Sequence, residues 1–141
     1  YKTHYRTVPN TALFPFGHGL TYGRIEYGEL RLSDTRMTAT GSLRISARIH
    51  NRGTRDAEEV AQLYIRDRSA SVTRPVRELK DFRKLAVPAG GSVAVEFVLR
   101  REDLLFIGQA LQPTVEPGVF DVWVAPSAEA AGVSARFELL E

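Results

Sequence analysis

The stretch SLRISARIH, residues 42–50, alternates apolar and polar side chains without a break. Leu43, Ile45, Ala47 and Ile49 fall on one face, and Ser42, Arg44, Ser46, Arg48 and His50 on the other. A period of two is the pattern of a strand with one face buried and the other in water. Outward from this stretch the same pattern repeats. The turn NRGTRD (51–56) follows, with Gly53 free to take positive φ. EVAQLYIRD (59–67) then sets Ala61, Leu63 and Ile65 against Gln62, Tyr64 and Arg66. VPAGGSVAVEFVLR (87–100) reads as strand, turn and strand, with residues 88–91 as the turn and Val93, Val95, Phe97 and Leu99 facing inward. PGVFDVWVAP (117–126) puts Phe120, Val122 and Val124 inward and closes at Pro126; VSARFELLE (133–141) does the same with Val133, Ala135, Phe137 and Leu139. No helical pattern exceeds a turn or two around residues 102–106. About seven short strands with regularly recurring turns predict an all-β, immunoglobulin-like sandwich of two antiparallel sheets.

Two places break the alternation. In RIEYGELRL (24–32) the apolar set shifts parity at Gly28, which predicts a bulge or a kink where the strand changes sheets. In ELKDFRKLAV (78–87) the set Leu79, Phe82, Leu85 and Val87 shifts at Asp81, and a second bulge fits there. Residues 1–23 differ from everything after them. Pro9, Pro15, Gly17, Gly19 and Gly23 interrupt any period, so the chain divides into an irregular segment, 1–23, and a sandwich domain, 24–141.

With 141 residues and 43% hydrophobic composition the chain is long enough for one well-buried domain. Nineteen Lys and Arg against seventeen Asp and Glu leave a net charge of only +2, spread along the chain, which argues against a nucleic-acid partner. No apolar run approaches the roughly 20 residues of a membrane helix. The absence of cysteine removes disulfides and thiolate metal ligands. The chain opens at Tyr1 rather than Met, which reads as a processed product or an excised fragment.

The inventory for chemistry is thin. His4, His18 and His50 lie in no nucleophile motif and at no metal-ligand spacing, and FGHGLTYG lacks the lysine and helix of a phosphate loop. Glu58 with Glu59, and Glu102 with Asp103, are carboxylate pairs by adjacency alone; at strand and turn edges they read as solvated acids. Asp34 reads as a turn residue, and His18 as a hydrogen-bonded turn histidine. These residues predict no catalytic site, no cofactor and no metal. One surface feature stands out. Tyr64 and Trp123 share the outward parity of two strands that a sandwich of this type pairs in one sheet, predicting a joint apolar patch. Either a local loop such as residues 67–75 covers it, or it docks a partner with Trp123 as anchor, or, third, it is a sugar platform, for which the expected cluster of amide and carboxylate partners is missing.

LFPFGHGLTYG (13–23), EVAQLYIRDRSASVTRPVRELKDFRKLAVPAGGSVAVEFVL (59–99) and DLLF…VEPGVFDVWV (103–124) together resemble the carboxy-terminal fibronectin type III-like domain of glycoside hydrolase family 3, of the bacterial β-glucosidase and β-xylosidase type. The likeness covers essentially the whole chain. It departs at Asp81, where the family often has glycine, and is loose over IGQALQPT (107–114). The resemblance implies that residues 1–23 are the connector from a preceding domain, with Phe14, Phe16, His18 and Tyr22 joining Tyr64 and Trp123 as candidate interdomain contacts. It implies that the catalytic groups of a retaining exo-glycosidase lie elsewhere in the parent polypeptide. The chain itself would then be a non-catalytic accessory domain, bracing the parent's other domains or contributing to a subunit interface, in a periplasmic or secreted enzyme. A carbohydrate-binding module and a protein-interaction or adhesion module remain open as alternatives.

Overall fold

The computed structural model describes residues 11–38 and 40–141. The expectations for His4 and the rest of residues 1–10 lie outside the described residues. In chain order the strands are β1 (Ile25–Leu32), β2 (Arg36–Met37), β3 (Ser42–Asn51), β4 (Ala57–Asp67), β5 (Glu78–Val87), β6 (Ser92–Arg100), β7 (Phe106–Ile107), β8 (Pro113–Thr114), β9 (Gly118–Ala125) and β10 (Val133–Leu139). A single 3-10 turn, Arg101–Leu104, follows β6. One sheet has the order β1-β3-β6 and the facing sheet β2-β10-β9-β4-β5, while β7 and β8 form a small hairpin. Every pairing is antiparallel except the short parallel contact of β2 with β10. This is the predicted sandwich, and the loosely patterned stretch 107–114 does close as a hairpin.

The core is built from the inward sets that the alternation selects. Leu43, Ile45, Ala47, Ile49, Val95, Phe97 and Leu99 come from one sheet; Ala61, Leu63, Ile65, Phe120, Val122, Val124, Phe137 and Leu139 come from the other. Phe120 stacks on Phe137 with ring centroids 5.2 Å apart. Each large apolar side chain contributes roughly 1.5–3 kcal/mol by leaving water. A one-residue slip of any of these strands would reverse that for its whole set, so burial fixes the register.

Asn51 ties one end of the sandwich together. It is buried, and its amide donates to Arg55 O at 2.7 Å and Val87 O at 3.1 Å while its Oδ1 accepts the Gly53 N–H at 2.9 Å. Gly53 does not use its freedom to take positive φ. Crowding explains the glycine instead, because a Cβ there would stand 3.0 Å from Asn51 Oδ1. The left-handed residue at this end is Gly90, φ 66°, in the turn closed by Gly91 N–H to Pro88 O. Asp34 behaves as expected of a turn residue, accepting the Arg36 N–H at 2.9 Å.

Both predicted bulges exist, with two corrections. The β1 register shifts between Gly28 and Arg31, with Glu29 at φ 52°, yet β1 pairs with β3 on both sides of the shift. The strand therefore bends without changing sheets. On β5, Leu63 pairs Asp81 and Tyr64 pairs Leu79, so the extra residue is Lys80. Phe82 pairs Gln62 in the same register as Ala57↔Val87, so parity puts it on the outer face, exposed rather than part of the inward set; beyond the offset Leu79 pairs Tyr64 and also leaves that set.

The five-stranded sheet is incomplete at one point. The pairing of β9 with β4 ends at Gln62↔Ala125, so residues 57–61 of β4 have no strand on that side. The irregular segment before β1 runs there instead: the Thr21 hydroxyl donates to Glu58 O at 2.7 Å, and Gly23 packs on Ala57.

Candidate functional site

Residues 13–22 are held by their backbone and offer their side chains to solvent. The His18 N–H closes a turn on Pro15 O at 3.0 Å, Phe16 O accepts the Ala128 N–H at 2.9 Å, and Gly17 O accepts Gln62 Nε2 at 3.0 Å. Gly17 has φ 78°, and a Cβ there would collide with Gln62 Oε1 and stand 2.7 Å from the Tyr64 hydroxyl. Only glycine allows this approach. With the backbone pinned, Leu13, Phe14, Phe16, Leu20 and Tyr22 remain between 67% and 94% exposed. Phe14 finds one neighbour, the His18 ring, at a centroid distance of 5.1 Å.

The clamp beneath them is Gln62. Its amide nitrogen donates to Gly17 O and, at 2.6 Å, to Pro126 O, while its Oε1 accepts the Tyr64 hydroxyl at 2.5 Å. Both residues are buried. Every strong hydrogen-bonding position of the amide except one acceptor lone pair is thereby used. Burial pushes the Tyr64 phenol above its ordinary pKa, with the Arg77 charge opposing, so it stays a donor. Tyr64 pairs Trp123 across β4 and β9 as predicted, but the exposed patch expected of them is not there. Tyr64 is covered by residues 16 and 17, and the half-buried Trp123 by the Arg77 guanidinium, 4.4 Å from its ring centroid. Arg77 is itself anchored to Ala130 O at 2.6 Å. The cover is thus the chain's own amino-terminal segment and Arg77 rather than the loop 67–75.

Between this segment and β4 lies a groove of about 760 Å³. Val60, Phe82 and Leu20 form an exposed apolar rim, and Glu59 and Tyr27 lie in its lining. Glu59 is only 7% exposed, which corrects its reading as a solvated acid; its Oε1 accepts the Tyr27 hydroxyl at 2.6 Å. Burial first, and then the bond to Glu59, push the Tyr27 phenol far above its ordinary range. Glu58 is exposed and pairs with Lys84 at 2.7 Å. Successive strand residues point to opposite faces, so Glu58 and Glu59 do not act as a carboxylate pair. Asp103 accepts the Arg100 N–H at 2.7 Å and caps the 3-10 turn. His50 lies on β3, apart from His18, and no group of three or more His, Asp or Glu able to hold a metal occurs among the described residues.

The sequence reading found the exposed aromatics and missed Gln62, Glu59, Val60 and Phe82. Gln62 carried one usable signal, an amide at outward parity between buried neighbours and two residues from a tyrosine that needs a partner.

Comparisons with known proteins agree with this geometry. The fibronectin type III-like domain family matches residues 59–128. A β-xylosidase of Formosa agariphila is 38% identical over 129 residues, 92% of this chain and 18% of that protein. The periplasmic β-glucosidase of Salmonella typhimurium is 34% identical over 140 residues, 99% of this chain and 18% of that protein. The crystal structure of a β-glucosidase from Listeria innocua in complex with gluconolactone superposes with a TM-score of 0.90 at 34% identity, covering 100% of this chain and 19% of that one. The chain thus spans under a fifth of the length of these relatives. Two facing sheets in this strand order, a family match over residues 59–128 and relatives that align with 92–100% of this chain lead to one assignment: the chain belongs to the fibronectin type III-like domain family found in glycoside hydrolase family 3 β-glucosidases and β-xylosidases.

Proposed function

We propose that the chain is a non-catalytic accessory domain of a β-glucosidase-type glycosidase, and that residues 13–22 brace it against the parent's other domains. One observation carries the reading. Five large apolar side chains project from ten residues that are tied to the sandwich at Phe16 O, Gly17 O and the Thr21 hydroxyl. A free segment would lose little by collapsing these groups; a pinned one holds them ready for a partner surface. The length of the relatives supports a partner within the same polypeptide. In that setting the parent would remove terminal β-linked sugars, with its catalytic carboxylates on other domains. Trp123 and Tyr64 support no sugar platform, since one ring is buried and the other lies under Arg77.

The test replaces Phe14, Phe16 and Tyr22 together by Ser in the polypeptide that carries the domain. Thermal inactivation of aryl β-glucoside hydrolysis should accelerate, while the melting temperature of the 141-residue chain alone stays unchanged. An unaltered inactivation rate contradicts bracing. Concentration-dependent dimers of the chain, abolished by the same substitutions, would assign the strip to a second subunit instead.

A further inference from the structure

We propose that the arginines grouped around Asp121 on the outer face of the five-stranded sheet receive Asp or Glu side chains of the neighbouring domain, beside the apolar contact made by residues 13–22. That such a domain exists rests on the accessory-domain reading; the excess of positive charge does not.

Asp121 is surrounded by more positive charge than it can balance. It pairs Arg136 across β9 and β10, and Arg66 across β9 and β4. Its Oδ1 meets Arg136 Nε at 3.1 Å and Arg68 Nη1 at 3.7 Å, and its side chain is only 17% exposed. Arg66 stands on its other side, exposed, and its guanidinium makes no ion pair or hydrogen bond among the described residues. Three guanidinium groups thus share one carboxylate. Two further acids adjoin the group, and neither answers it. Asp67 accepts the Ser69 N–H, and Glu138 on β10 lies opposite Arg36, a further arginine, on β2. All seventeen Asp and Glu of the chain are among the described residues, and residues 1–10 and 39 contain none. The shortfall is therefore not made up by the rest of the chain. Like charges held this close repel one another, and an added anion relieves that repulsion.

The cluster adjoins the exposed strip. Arg66 is one pleat, about 7 Å, beyond Tyr64 on the same face of β4. Tyr64 lies directly beneath residues 16 and 17. Arg77, over the Trp123 ring on the adjacent rung, extends the basic band. An apolar centre flanked by arginines is the composition of a protein–protein contact. Arginine suits the task, because its planar fork takes a carboxylate through two parallel hydrogen bonds and is less strongly hydrated than an ammonium. The chain spans 18% of the length of its relatives, so a partner surface within the same polypeptide is at hand.

The test turns the cluster into a cross-linking probe. Carbodiimide joins an amine to a touching carboxylate as an amide, with loss of water, and leaves guanidinium groups alone. Arg66→Lys and Arg136→Lys keep the charge and supply the amine, in a chain with only three lysines of its own, Lys2, Lys80 and Lys84. In the polypeptide that carries the domain, peptide mapping should find position 66 or 136 joined to an Asp or Glu outside the 141 residues. Arg66→Gln with Arg136→Gln should accelerate thermal inactivation of that polypeptide about threefold or more at low salt. The excess should vanish in about 1 M NaCl, where the Debye length is about 3 Å. The same pair of substitutions should leave the melting temperature of the chain alone within about 2 °C. Links confined to the 141 residues, as a lipid or glycan partner would give, or an unchanged inactivation rate, overturn the proposal. The Phe14, Phe16 and Tyr22 variant separates the two readings. If it alone accelerates inactivation, bracing stands and the acidic contact fails; if the cross-link forms while that variant is silent, the acidic contact stands and bracing by the strip fails.

Discussion

Substituting Gly17→Ala should detach the amino-terminal segment and leave the sandwich standing. Gly17 has φ 78°, in the left-handed region, where a residue with a Cβ costs about 1–2 kcal/mol. The added methyl would also strike Gln62 Oε1 and crowd the Tyr64 hydroxyl, so the Gln62 to Gly17 hydrogen bond must break. That bond is worth a net of about 0.5–1.5 kcal/mol. Together the segment's attachment should weaken by about 1.5–3.5 kcal/mol, or about 10- to 300-fold in its opening equilibrium. Hydrogen exchange reads this directly, because the Ala128 N–H is held by Phe16 O at 2.9 Å. Its protection should fall by that factor, while amides in β3 such as that of Ile45 keep theirs. If Ala128 stays within about threefold of wild type, the clamp described here does not hold the segment. If Ile45 falls in step with Ala128, the segment is part of the cooperative core.

Three further outcomes follow from the packing. Asn51→Ala strips the hydrogen bonds to Arg55 O, Val87 O and the Gly53 N–H, and should cost about 2–4 kcal/mol in urea unfolding, since buried partners are left unpaired. Phe97→Ala should cost about 3–5 kcal/mol, whereas Phe82→Ala should change stability by under about 0.5 kcal/mol; equal losses would contradict the outward placement of Phe82. Burial alone would raise the Glu78 pKa, but its bonds to Lys80 and Arg74 outweigh that and hold it below the ordinary value. Its contribution is therefore complete above about pH 4.5 and lost as pH falls through the lowered value, so the stability gap between wild type and Glu78→Gln should close over roughly pH 5 to 3. A gap that widens on acidification would reverse the assignment.

The inward faces were legible because strand parity is a local property. Leu43 through Ile49 or Phe120 through Val124 need no knowledge of the rest of the chain. The Tyr64–Trp123 pairing was legible one level up, from the order of strands in a sandwich. Parity names a face without saying what lies over it. Tyr64 and Gln62 are covered by residues that precede them by more than forty positions, and no periodicity links the two. Glu59 was misread for the same reason, since its partner Tyr27 is 32 positions away on the opposite sheet. Phe82 failed differently. It lies three positions from Leu85 and five from Val87, so with Leu85 and Val87 inward, parity alone turns Phe82 outward, and grouping it with them overlooked that. The stretch around Gly17 was legible only as an irregular segment, and its anchor could not be named before Gln62 was seen beneath it.

The most direct test of the accessory-domain account is hydroxyl-radical footprinting of Leu13, Phe14, Phe16, Leu20 and Tyr22 in two settings. One is the 141-residue chain, where these side chains are between 67% and 94% exposed and should oxidise rapidly. The other is the polypeptide that carries the domain. If residues 13–22 brace it against a neighbour, oxidation of Phe16 and Tyr22 should drop several-fold there, while an exposed reporter on the sandwich such as Ile107 stays unchanged. Equal oxidation of the five side chains in both settings would contradict the account.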